Sequence, residues 1–61
     1  MDNNIEDCIA VKQIDSYTYH IGYIENNVFD PVASEKYYGD AVDKASLMQV
    51  VNPHLKIKEI K

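Results

Sequence analysis

From Cys8 to Ile24 apolar and polar residues alternate with a period of two, over a longer stretch than anywhere else in the chain. That is the period of a strand with one buried face, so the stretch predicts a β-hairpin. Ile9 and Val11 share one parity in its first half, and Tyr17, Tyr19, Ile21 and Tyr23 share one in its second. A slip of one residue would turn the tyrosine row to the wrong side. The pattern therefore selects pairings of odd with odd residues, and with them a loop of three or five residues around Asp15 and Ser16. The opposite face carries Cys8, Ala10, Lys12, Thr18, His20, Gly22 and Ile24, which are small and only half polar.

The hairpin extends into a meander. Asn26 and Asn27 both tolerate positive φ, so they predict a two-residue turn into a third strand, Val28 to Ala33. Pro31 has no N–H to give to a ladder, which places this strand at a sheet edge. A rival reading makes Asp30 an N-cap, Pro31 a first helical residue and Gly39 the stop of a short helix. In Ser34 to Tyr38, Tyr37 and Tyr38 cannot both point inward from a strand.

A helix is expected next, with Asp40 as cap and Asp43 in the first turn. Ala41, Ala45 and Met48 centre its apolar stripe, Val42, Leu47 and Val51 flank it, and Asn52-Pro53 ends it. His54 to Ile60 alternates again, with Leu55 and Ile57 on one face and Lys56 and Lys58 on the other. The fold class is thus α+β, in the order βββαβ: a three-stranded antiparallel meander, one helix packed on the sheet and a C-terminal fourth strand. A right-handed crossover would lay that strand parallel to the first, in spatial order 3-2-1-4; a place beside the third strand is the rival.

With 61 residues the chain forms one small α+β domain, 1–61, and its core barely offsets the entropy of ordering it. Oligomerisation or a partner is expected for that reason. Met1 to Asn4 reads as a frayed polar end without a signal-peptide pattern, and Cys8 has no second cysteine to pair with, so a reducing, cytoplasmic location is expected. Nothing reaches a membrane-spanning length. Ten acidic against six basic residues give a net charge of −4, which would repel a phosphate backbone, so nucleic acid is not an expected partner.

No catalytic, cofactor or metal signature is legible. Cys8, His20 and His54 lack the spacing of the short metal motifs, and Cys8 lies in an apolar run where a thiol is buried and inert. Gly22 and Gly39 make no phosphate-cradling loop. The five tyrosines could stack on a ligand, but they also pack well on a pleated surface.

One helix covers one face of a sheet. Ile24, Phe29 and Pro31 fall on the other face if Asn26-Asn27 is a two-residue turn, and an apolar patch of that kind marks an interaction surface. Replacing Phe29 by Lys is then expected to weaken association more than folding. Residues 19–32 (YHIGYIENNVFDPV), 39–45 (GDAVDKA) and 55–60 (LKIKEI) resemble small meander-plus-helix proteins of phages and mobile elements. That resemblance implies an accessory or anti-defence factor that binds a host protein or sequesters a small signalling molecule.

The expected function is a non-enzymatic binding protein, a homodimer that modulates or inhibits a host or cognate protein. Its interface or ligand residues are expected among Tyr19, His20, Tyr23, Ile24, Phe29, Tyr37 and Tyr38. The alternative is a small-molecule binder whose dimer cleft holds a nucleotide-like signal between Tyr19, His20 and Tyr23, with Lys36 or Lys56 on its phosphates.

Overall fold

A computed structural model describes residues 6–60, so the expectation for Met1 to Asn4 lies outside the described residues. The strands are β1 (Cys8–Asp15), β2 (Thr18–Glu25), β3 (Val28–Glu35) and β4 (Ile57–Ile60), and the helix is α1 (Tyr38–Val51). The sheet runs β3-β2-β1-β4. β1 pairs antiparallel with β2 and parallel with β4, which realises the order 3-2-1-4 and not the rival position.

The register of β1 and β2 joins odd to odd, as the parity argument requires: Ile9 faces Tyr23, Val11 faces Ile21 and Gln13 faces Tyr19. Beyond Gln13 the ladder shifts, so that Asp15 pairs with Thr18. Ile14 is the extra residue of a bulge and is largely exposed. The turn itself is Ser16-Tyr17 rather than Asp15-Ser16. Asp15 holds it, accepting the Tyr17 N–H at its Oδ1 over 2.8 Å.

At the second turn Glu25 pairs with Val28, and Asn26 and Asn27 have φ of 54° and 66°. Two positive φ values give a turn whose twist matches that of the flanking strands, and asparagine adopts them at low cost. β3 is an edge strand containing Pro31, so the rival helix over 31–38 does not form. It is longer than expected and carries a bulge of its own, since Ile21 faces Ala33 while Gly22 faces Pro31. Val32 is the residue left over. Strict alternation from Phe29 would turn it to the helix side, yet it is exposed, and Ala33 takes the place against the core.

α1 begins two residues before the expected cap. Tyr37 is its N-cap with no side-chain cap bond, and Asp40 sits in the first turn. Ala41 and Ala45 are fully buried. Their small side chains bring the helix close to Ile9, Val11 and Ile21, with Tyr19, Tyr23, Ala33, Met48, Leu55 and Ile57 around that centre. Each large aliphatic side chain buried there contributes about 1.5–3 kcal/mol. Leu47 and Val51 do not flank this stripe as expected. They are 64% and 77% exposed, because two alanines leave the helix lying on a narrow seam.

The other face holds a smaller cluster in which Cys8, Ala10 and Ile24 are buried and Phe29 and Ile60 pack against them. Phe29 pairs with Ile24, away from Ile21, as expected. It is nevertheless half-buried against that cluster, so a lysine there would strike packing as well as any association.

Candidate functional site

Two concavities flank the main core at opposite ends of the sheet. The larger, about 290 Å³, opens where β1 starts, β2 ends and α1 runs out, and is lined by Asp7, Tyr23, Ile24, Glu25, Asn52, His54 and Leu55. Its existence follows from how the helix is stopped. Asn52 closes α1 with its backbone N–H on the carbonyls of Met48 and Gln49, and Pro53 prevents another turn. The Asn52 side chain then donates from Nδ2 to the Met48 carbonyl and to the Tyr23 hydroxyl, both at 3.0 Å. Gln49 donates from Nε2 to the Leu55 carbonyl at 3.0 Å, which fixes the returning chain. On the other wall Asp7 accepts the Asn26 N–H at 3.3 Å.

The burial of these residues gives the cleft a gradient. Ile24 is buried, Tyr23, Asn52 and Leu55 are half-buried, and Asp7, Glu25 and His54 are exposed at the rim. Two carboxylates and no lysine line it, so its field favours a cation and repels phosphate.

The smaller concavity, about 120 Å³, is lined by Val11, Gln13, Tyr19, Tyr38, Glu59 and Ile60. The rings of Tyr19 and Tyr38 meet edge to face with centroids 5.8 Å apart. The Tyr38 hydroxyl donates to the Glu59 carboxylate, which ties the first turn of α1 to β4. That bond, followed by desolvation and the negative charge of Glu59, pushes the Tyr38 phenol above the usual tyrosine value. A raised value means that the folded chain holds the proton more tightly. The contribution of Tyr38 to stability is therefore whole below the ordinary tyrosine range and is lost as pH rises through the folded value. The parent is expected to show an alkaline decline in thermal midpoint that Tyr38→Phe flattens; equal declines in both proteins would show that the bond carries no such weight.

The residues expected to form a site do not converge within one chain. Tyr19 and Tyr23 lie at opposite ends of the helix-covered face, Tyr19 beside Tyr38 and Tyr23 in the larger cleft. His20 lies between them on β2, pairs with Lys12 and Ser34 and belongs to the other face. Ile24 lines the cleft but is buried, and Phe29 packs in the second cluster. Tyr37 is 63% exposed, with the Lys36 ammonium 5.8 Å from its ring centre. Lys36 and Lys56 line neither concavity.

Sequence reading missed Asp7, Glu25, Asn52, His54 and Leu55 as one cleft. The available signal was the helix stop at Asn52-Pro53, which must leave a return loop near the ends of β1 and β2. It also missed an apolar patch. Leu47, Val50 and Val51 have the i, i+3, i+4 spacing of one helix face and are 64%, 77% and 77% exposed.

Cys8 is buried, and burial pushes its thiol up, against a smaller opposing pull from Lys58. Among the described residues no group of three or more His, Cys, Asp or Glu is placed to hold a metal ion, and no helix is long and apolar enough to cross a membrane. No family model, no curated protein and no solved structure matches this chain.

Proposed function

We propose that this chain is a non-enzymatic binding domain that docks a partner protein on the outer face of α1 and thereby modulates or inhibits it. The observation that carries the reading is the exposure of Leu47, Val50 and Val51 on one helix face. Three aliphatic side chains more than 60% exposed within two turns gain by being covered, and a helix face of this kind is a common docking element. Asp40 and Asp43 precede them on the same stripe and are exposed. Half-buried Lys44 lies beside Asp40 and Leu47 on the same side, so the exposed charge of the stripe is that of Asp40 and Asp43, and the complementary partner is an apolar surface bordered by Lys or Arg. A second copy, also at −4, fits this stripe less well on charge.

The expected homodimer through the second sheet face is supported less, because Cys8, Ala10 and Ile24 are already buried there. Self-pairing through β4 is also disfavoured. The side-chain alternation of an antiparallel pair about a two-fold axis would set Lys58 against its own copy or Glu59 against its own copy. The nucleotide-binding alternative has no lysine in either concavity to support it.

The test is a photo-crosslinking residue placed at Val50, with the same residue at Val32 on the β3 edge as control. A heterologous adduct from Val50 and none from Val32 is the expected result. An adduct of two copies of the chain would hand the patch to a homodimer, and equal trapping at both positions would overturn the reading.

A further inference from the structure

We infer that the cleft at the end of α1 accepts a lysine or arginine side chain of the docked protein, an inference that rests on the docking reading above. The patch and the cleft meet in the chain at the helix end, where Val51, the last helical residue, is followed by the cap Asn52, which lines the cleft. A partner that lies on Leu47, Val50 and Val51 and extends past the C-terminal end of α1 would carry a side chain to the cleft mouth.

The cleft fits a long cationic side chain part by part. The half-buried Tyr23 ring and Leu55 offer an apolar lining for methylene groups. Asp7 and Glu25 stand exposed at the rim, where a guanidinium or ammonium head stays partly hydrated while donating to them. The Asp7 Oδ1 already takes the Asn26 N–H, which leaves its other oxygen to accept from the head. The Tyr23 hydroxyl is held by the Asn52 Nδ2, so the aromatic wall is set in place before anything binds. An anionic ligand would meet the carboxylates of Asp7 and Glu25 and no lysine or arginine in the lining, where His54 is the one basic side chain.

Titration of the full chain with n-butylguanidinium, followed by amide NMR, tests the cleft apart from the partner. Saturable shifts confined to Asn26, Asn52, His54 and Leu55 are expected, with none from inorganic phosphate or n-butyrate. Asp7→Asn with Glu25→Gln should weaken binding about tenfold, the effect of losing charge-assisted hydrogen bonds. Asn at position 7 keeps the oxygen that accepts the Asn26 N–H, and Glu25→Gln alone, at an exposed side chain, serves if the double variant fails to fold.

Shifts spread equally to Asp40 and Asp43, a response without saturation, or unchanged affinity in the variants would overturn the inference. The Val50 crosslink read in the same variants separates the two proposals. Its yield should fall about tenfold if the partner inserts a basic side chain, in step with the loss of that charge pairing. An unchanged yield with intact guanidinium binding would make the cleft a site for a free amine and leave the docking reading standing.

Discussion

Ile21→Ala is expected to leave this protein largely unfolded at room temperature. Ile21 has no exposed surface, pairs with Val11 on one side and Ala33 on the other, and packs with Ile9, Ala41 and Ala45. Truncating such a side chain costs about 2–5 kcal/mol, through lost burial and the cavity left behind. A 61-residue domain has only about 3–9 kcal/mol in total, at about 0.05–0.15 kcal/mol per residue. The core has little means to collapse into the gap, because the facing helix residues are already alanines. Ile21→Val should cost about 0.5–1.5 kcal/mol and Val28→Ala, 64% exposed at the turn, within about 0.5 kcal/mol. Thermal melts by circular dichroism rank the three. Ile21→Ala melting beside Val28→Ala would mean that the helix does not seat on this face.

Gly22→Ala, the addition of one methyl group, should be nearly as damaging. A β-carbon at Gly22 would stand 2.7 Å from the Pro31 Cα and closer still to the Asp30 carbonyl oxygen, both backbone atoms. Backbone inside a ladder cannot step aside as a flexible side chain would, so relief requires β3 to separate from β2 at its bulge. Overpacking of this kind costs about 1–3 kcal/mol. The expected signature is local, with amide exchange accelerated in β3 well before it rises in β1. Gly39→Ala is the control. Its β-carbon would meet nothing within 4 Å, and alanine favours the helix it sits in, so that variant should gain about 0.5–1 kcal/mol. If Gly22→Ala melted with the parent, the close approach of β3 at Pro31 would be wrong.

Both expectations depend on features with unequal visibility in the sequence. Ile21 as core was legible, because alternation from Cys8 to Ile24 admits one register in which Ile9, Val11, Ile21 and the tyrosines share a side. The Asn26-Asn27 turn was legible as well, since few residue pairs tolerate two positive φ values. Gly22 was not singled out. A glycine in a strand signals a close approach only when its neighbour is known, and that neighbour is a proline at a bulge nine positions on.

The candidate site was mostly illegible for the same reason. Tyr23 and Glu25 belong to β2, Asp7 precedes β1, and Asn52, His54 and Leu55 follow α1. Nothing in their spacing shows that the end of the helix lies over the end of the hairpin. The tyrosines were open in the sequence to packing or to stacking, and the fold sets Tyr19 and Tyr23 apart: alternate pointing along β2 and the length of the sheet separate them and set His20 behind both.

Local rules therefore determined what local interactions control: strand parity, the Asn26-Asn27 turn, the helix stop at Pro53 and the edge placement of Pro31. The tertiary structure decided three further things, each a matter of fit between segments distant in the chain. The bulges at Ile14 and Val32 changed which residues face the core beyond them. The start of α1 moved back to Tyr38, whose ring rests on Tyr19 and whose hydroxyl reaches Glu59, so contacts to the sheet outweighed the nearby capping residue. The seat of the helix was set by Ala41 and Ala45, and its narrowness left Leu47, Val50 and Val51 outside. A period of 3.6 places side chains around a helix, but the width of the buried sector depends on the depth to which the helix sinks into the sheet, which is fixed by the volumes it meets there.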